Sequence, residues 1–333
     1  MKRYLPHIVA FLVIATWGTT FVFTKLLLLG GLSAAQIFIL RFIIAYILLL
    51  FYCLIKGPQR NKRLTECQSD ARKGKVSTFR GHWIAYSWRD ELLMAGLGLT
   101  GGSLYFLTEN SSMNYTTTTN TSIIVSLCPL FASAIIGAFY KSERLNRIQA
   151  FGTMMAAIGV VVVVMNGHFV LHLSPRGDLL ALAACLCWAF YSLLMIPANA
   201  RYDTVFITRK VFFYGLLSII PYYIMNPELN IHLLAEQPKL LWNLLFLGCV
   251  ASMLCFLAWN WALKQLGAVT ATNYVYLNPV TTIVFAWFIL GEPITFWFIL
   301  GTVLILTGMF LADLRRRSKN TKDPQKDEDS SKH

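Results

Sequence analysis

The chain has 333 residues, 56% of them hydrophobic and only 14% charged, whereas a soluble domain carries about a quarter charged residues. Its net charge of +13 would suit nucleic-acid binding in a soluble protein. Here the apolar residues come in long blocks, and in a membrane chain basic residues mark cytoplasmic loops instead, so no nucleic-acid partner is expected.

A membrane span needs about 17–25 apolar residues. Ten are predicted, at about 6–29, 34–55, 92–113, 117–140, 148–166, 178–198, 206–225, 240–262, 268–290 and 294–312. The first follows Lys2 and Arg3 but is too long for a signal peptide, so it is read as retained. Between spans 2 and 3 lies a basic cytoplasmic loop, 56–91, with nine Lys or Arg from Lys56 to Arg89. The segment 315–333 is charged, lacks apolar residues and is predicted to be a disordered cytoplasmic tail. Placing both termini in the cytoplasm puts 25 of the 29 Lys and Arg inside and only Arg176 and Lys239 outside, leaving Lys25 and Arg41 within spans. Of the seven cysteines, Cys53, Cys128, Cys185, Cys187, Cys249 and Cys255 lie in apolar segments and Cys67 in the basic loop. With no Cys-x-x-Cys, this pattern argues against a disulfide framework or a zinc site.

Spans 3–5 repeat in spans 8–10. Leu97, Gly98, Leu104, Phe106, Leu107 and Asn110 align with Leu247, Gly248, Leu254, Phe256, Leu257 and Asn260. The same register pairs Leu127 with Leu277 and Pro129 with Pro279. After one deletion, Glu143, Gly152 and Gly159 align with Glu292, Gly301 and Gly308, and Trp17 in span 1 matches Trp188 in span 6. Each half therefore holds five spans, and an odd number inverts the second copy. The expected fold is an all-α polytopic membrane protein of ten transmembrane helices in two inverted five-helix repeats, 1–166 and 167–314. Inverted repeats are a recurring way to build transporters that rock around a midplane site. Gly152, Gly159, Gly301 and Gly308 lie seven apart in pairs, so each pair shares a helix face and is read as close packing. Pro129 and Pro279 each free a backbone carbonyl inside a span and are read as bends or hinges.

A charge at the bilayer centre costs about 2.5–3.5 kcal/mol, so Lys25, Arg41 and Glu109 call for an explanation. They share one depth on three neighbouring spans, and are read as a polar mouth toward the outside in which Glu109 pairs with Arg41 or Lys25. The plainer readings are that Lys25 snorkels to the headgroups and that Arg41 anchors spans. Other polar or amphipathic residues within spans are candidate substrate contacts: Trp17, Thr20, Asn120, Trp188, Tyr191, Asn260, Asn273, Tyr276 and Asn278, with Lys25. An aromatic pocket with a few amides suits an amphiphilic or aromatic small molecule. Glu143 and Glu292 sit at turns, where capping explains them. There is no Walker A, no His-Glu-x-x-His and no Gly-x-Ser-x-Gly, and His168 and His172 lack a third ligand. No enzyme activity, metal or cofactor is expected.

With "WGTTFVFTK", "RFIIAY" at 41–46, Pro129 and Pro279 in the fourth span of each half, and the "ERL" and "GEPI" elements at 143–145 and 291–294, the whole chain resembles the EamA-type transporters of the drug/metabolite transporter superfamily. The long 56–91 loop departs from that pattern. The resemblance implies secondary transport, often export, of small metabolites such as amino acids by alternating access around a central cavity. The expected setting is the plasma membrane, of the bacterial inner-membrane type, with lipid and a small-molecule substrate as partners and a homodimer as a further option. Uniport or exchange is favoured over proton coupling, since no clear midplane carboxylate is present. A translocase of a lipid-linked group and a non-transporting scaffold or sensor are the competing readings.

Overall fold

The computed structural model describes residues 4–56, 85, 87–116, 121, 124–165, 174–225, 232–290 and 295–321. Asn120, His168, His172, Glu292 and nearly all of the 56–91 loop lie outside them. In lipid every backbone N–H and C=O needs an internal partner, which a helix supplies within its own segment. The described residues accordingly fold into helices. These are α1 (Leu5–Leu29), α2 (Ala34–Lys56), α3 (Trp88–Gly98), α4 (Leu104–Tyr115), α5 (Cys128–Phe139), α6 (Arg147–Met165), α7 (Pro175–Arg201), α8 (Thr204–Met225), α9 (His232–Glu236), α10 (Pro238–Leu245), α11 (Cys255–Leu266), α12 (Ala268–Asn273), α13 (Asn278–Leu290) and α14 (Phe296–Thr321). By length and apolar composition α1, α2, α7, α8 and the continuous 238–266 rod can each cross a membrane, and 124–139, 147–163 and 296–312 are shorter apolar helices.

Local chemistry places the ends. Ser87 caps α3, its hydroxyl accepting from the Asp90 amide at 3.2 Å. Gly31 (φ 95°) and Gly267 (φ 82°) make the tight turns after α1 and α11, where a side chain would be strained. Pro129 stands in the first turn of α5 and Pro279 is the second residue of α13, after a 3₁₀ turn at Tyr274–Leu277. Each proline thus begins a helix after a break, where its missing N–H is not needed. α14 runs to Thr321, so its backbone stays helical past Arg315, and the rest of the expected tail, 322–333, lies outside the described residues.

α3 joins α4 through a wide π turn at Leu99–Ser103, and α10 joins α11 through another at Phe246–Leu254. The two turns follow from the repeat. A Cβ on Gly98 would lie 2.5 Å from the Tyr214 Cβ, and one on Gly248 2.8 Å from the Ile44 Cβ, so each glycine admits a neighbouring helix in the opposite half. Packing throughout is reciprocal in this way. α6 and α14 form the most extensive pair, with Gly152 against the Gly308 carbonyl and Gly159 against the Gly301 carbonyl. α7 packs along α4 and α5, and α8 along α3. Exchanging the halves gives α1 along α11 and α13, and α2 along the second π turn. The compact groups therefore mix the repeats: α3–α5 with α7 and α8, and α10–α13 with α1 and α2.

The two groups are closed at their ends by different chemistry. In the first, Asp90 accepts from Arg201 at 2.5 Å and from Tyr202 at 3.0 Å. Glu91 accepts from Lys210 at 2.7 and 2.9 Å and from Tyr214 at 2.6 Å. Burial on its own would raise the carboxyl of Asp90, but the hydrogen bonds from Tyr202, Ser87 and Arg201 outweigh it and hold it below the usual carboxylate value. Glu91 is depressed likewise: burial raises it, and the bonds from Lys210, Tyr214 and the Ala85 amide outweigh that. Both carboxylates stay charged at neutral pH. In the second group the register of Gly98 with Gly248 puts Leu240 and Leu241 where Asp90 and Glu91 stand. Leu240 lies against Gly30 and joins a cluster with Leu27, Leu32, Ile37, Leu234, Leu244 and Leu247.

Two substitutions test this packing. Gly159→Leu forces a side chain into the α14 backbone and should destabilise the protein by about 1–3 kcal/mol, seen as a lower Tm in detergent. Gly137→Ala, whose Cβ would meet Arg144 only at 3.5 Å, should leave the Tm near that of the unaltered protein. Glu91→Gln strands the Lys210 ammonium, whose side chain is 9% exposed, at a cost of about 3–5 kcal/mol. Adding Lys210→Met should recover most of the loss in a thermal double-mutant cycle.

Candidate functional site

A cavity lies between the two groups. α1, α2, the second π-turn rod and the α12–α13 rod contribute Trp17, Thr20, Phe21, Arg41, Phe256, Val275 and Asn278. The opposite wall is Tyr105, Phe106, Glu109, Val125, Cys128 and Trp188. Its volume is about 30 Å³, room for roughly one or two waters, so a larger guest requires the walls to part.

Aromatic rings form the floor. Trp17 and Trp188, matched positions in the two halves, meet edge to face with centroids 5.6 Å apart and planes at 87°, an arrangement that suits the ring quadrupoles. Trp259 lies 5.3 Å from Trp17, and Tyr105 lies 5.1 Å from Trp188. The Trp17 Nε1–H donates to the Ala251 carbonyl at 2.9 Å. That carbonyl belongs to the second π turn, whose wide pitch leaves it open to a side-chain donor. Among the described residues the buried Trp188 Nε1–H has no hydrogen-bond partner, on a residue that lines the cavity.

Two charged groups complete the lining. Arg41 is 3% exposed; its Nε donates to Ser252 at 2.9 Å and its guanidinium lies 4.5 Å from the centre of the Phe106 ring. Glu109 is 8% exposed and accepts from the Tyr105 hydroxyl at 2.8 Å. Among the described residues the ion pair expected of Glu109 with Arg41 or Lys25 does not form. Tyr105, one turn back on the same helix, supplies a nearer donor, and Arg41 is drawn to Ser252 in the π turn. Among the described residues the terminal nitrogens of Arg41 and the second oxygen of Glu109 show no further hydrogen bond, and both side chains line the cavity.

The sequence-predicted residues divide accordingly. Trp17, Thr20, Trp188, Asn278, Arg41 and Glu109 line the cavity. Lys25 does not: its Nζ donates to the Met113 carbonyl at 2.9 Å. Tyr191 and Asn260 tie helices together, the Tyr191 hydroxyl donating to Asn260 at 2.6 Å and the Asn260 amide to Thr208 at 2.9 Å. Asn273 and Tyr276 are buried outside the lining. Sequence reading missed Tyr105, Phe106, Phe256 and Cys128. Phe106 and Phe256 carried a signal, since they coincide in the repeat, but an apolar ring in an apolar span does not by its own chemistry mark a site.

The EamA-like transporter family model matches residues 5–165 and 175–312. An uncharacterized transporter of Archaeoglobus fulgidus is 25% identical over 315 residues, 93% of this chain and 98% of that one. A probable amino-acid metabolite efflux pump of Escherichia coli is 26% identical over 66% of this chain and 75% of its own. A probable terminal-alkyne amino-acid exporter of Streptantibioticus cattleyicolor is 25% identical over 68% and 74%. A solved crystal structure superposes with a TM-score of 0.69 at 18% identity, over 94% of this chain and 98% of that one.

Trp17→Phe keeps the ring contacts and loses the bond to Ala251, so it should cost about 1 kcal/mol. Trp17→Ala should cost about 3–5 kcal/mol, and thermal melts in detergent separate the two.

Proposed function

The chain belongs to the EamA-like transporter family, and from that premise we propose that it is an exporter of small zwitterionic metabolites, amino acids with apolar side chains and their close derivatives. The observation that carries this reading is the cavity that sets the Arg41 guanidinium and the Glu109 carboxylate among aromatic rings. A carboxylate is matched by a planar guanidinium in two parallel hydrogen bonds, and the unpartnered Trp188 indole N–H offers a third donor. An ammonium is matched by the free oxygen of Glu109 and by the ring faces around it. The names of the Escherichia coli and Streptantibioticus relatives support the same class of cargo. The chain crosses the membrane ten times, both termini lie in the cytoplasm, and the plasma membrane (in a bacterium, the inner one) is its setting. Alternating access follows from the cavity's position between two packed groups of helices.

Purified protein in liposomes loaded with labelled phenylalanine tests the reading. Unlabelled leucine and phenylalanine outside should drive exchange. Phenylpropionate and phenethylamine, each carrying one of the two charges, should do so about tenfold less well, since a hydrogen bond to a charged group is worth about 1.5–3 kcal/mol. Arg41→Gln and Glu109→Gln should each abolish exchange while the protein stays folded. Exchange of single-charge analogues as fast as of amino acids would remove the zwitterion from this reading.

A further inference from the structure

Two lysines reach across the boundary between the helix groups, and they do so at opposite ends. Lys25, on α1, donates to the Met113 carbonyl in the last turn of α4 at 2.9 Å. Lys264, in the last turn of α11, donates to the carbonyl of Tyr202, the residue that closes α7, at 2.8 Å. α1 and the 238–266 rod are antiparallel, since Gly30 lies against Leu240 and Trp17 reaches Ala251. α7 and the 88–115 rod are antiparallel as well, because Arg201 meets Asp90, Tyr191 meets Gly101, and Thr116 meets Gly177. The two lysines therefore stand roughly 30 Å apart at 1.5 Å per residue, one at each mouth of the cavity's boundary.

We propose that these two contacts are the gates of the transport path, Lys25 on Met113 closing one mouth and Lys264 on Tyr202 closing the other. Both carbonyls lie at helix C-termini, where up to four acceptors lack an intrahelical partner and the helix dipole is negative. A lysine is suited to the task. Its ammonium is a mobile point charge on a flexible stem, so it lets go of a carbonyl and reaches water as the mouth opens, leaving no buried charge behind. The ion pairs of Asp90 with Arg201 and of Glu91 with Lys210 behave differently. They lie within one group and hold it rigid while the lysine contacts make and break. The repeat does not impose this arrangement, because Lys25 aligns with Ile196. Both clamps sit on the group of α1, α2 and α10–α13, and both grip the ends of its partner. At each mouth neutral hydrogen bonds back the lysine: the Asn110 amide to the Ala34 carbonyl at 3.4 Å beside the first, and the Tyr191–Asn260–Thr208 chain nearer the second.

Cys128 lines the cavity and serves as a reporter that needs no cargo, so the outcome is independent of the substrate assignment above. With Cys53, Cys67, Cys185, Cys187, Cys249 and Cys255 replaced by alanine, a membrane-impermeant maleimide is applied to either face of oriented vesicles. Lys25→Met should speed labelling of Cys128 about two- to fivefold from the face where α1 ends, and Lys264→Met by a similar factor from the opposite face only. Lys25→Arg and Lys264→Arg should restore slow labelling. Should Lys25→Met fail to fold, Lys25→Gln, whose donor falls short of Met113, is expected to give the same one-sided rise. Equal acceleration from both faces, acceleration from the same face by both variants, or no change in a folded protein would overturn the proposal.

Discussion

Everything about the site depends on the contact between Trp17 and Trp188. These are equivalent positions in the two halves, so a direct meeting of their rings fixes them at the internal axis of symmetry. Each ring then has to be shared by both helix groups: Trp17 belongs to α1 and touches Trp188 on α7 and Trp259 on α11. A cavity that opens against this pair is bounded by both groups at once. The bond from Trp17 to Ala251 has no counterpart at Trp188 among the described residues, so the symmetry stops at the rings: one indole is anchored to the backbone and the other is not.

The second break in symmetry is electrostatic. Where one group is pinned by Asp90, Glu91, Arg201 and Lys210, its counterpart is pinned by leucines around Leu240 against Gly30. An ion pair with one exposed partner, as with Arg201 at 58% exposure, contributes about 0–1 kcal/mol and rearranges cheaply in water. A buried leucine cluster loses about 25 cal/mol for every Å² exposed. The two groups are therefore held together internally by different means, the first by charge and the second by buried apolar surface, a difference the repeat alone does not impose.

Much of this was legible in the sequence. Gly152, Gly159, Gly301 and Gly308 were readable as packing because seven-residue spacing fixes a helix face, and the structure interlocks them in reciprocal pairs. Trp17, Trp188, Arg41 and Glu109 were readable as site candidates because polar or amphipathic groups in lipid demand a reason. What escaped was which polar side chain meets which partner across two helices. Nothing in the local sequence says that Lys25 points at the carbonyl of Met113 rather than into a cavity, or that Tyr191 spends its hydroxyl on Asn260. The ionic end was counted as loop charge. Asp90 and Glu91 precede one apolar block, Arg201 follows another and Lys210 precedes a third, so only the packing of α7 and α8 against α3 turns a topology signal into buried pairs.

The placement of charge follows one physical rule throughout. Lys25, Lys264, Arg201 and Lys210 each lie within a turn or two of a helix end, close enough to reach an acceptor or water. Arg41 and Glu109 alone face the cavity interior, where charge is expensive. Proteins keep such groups where binding requires them, because a guest carrying the complementary charges offsets their desolvation at the moment it binds. Each is held by a neutral partner, Arg41 by Ser252 and Glu109 by Tyr105, rather than by the other. On the zwitterion reading proposed above, a guest that supplies both charges gains what a direct Arg41–Glu109 pair would otherwise satisfy internally.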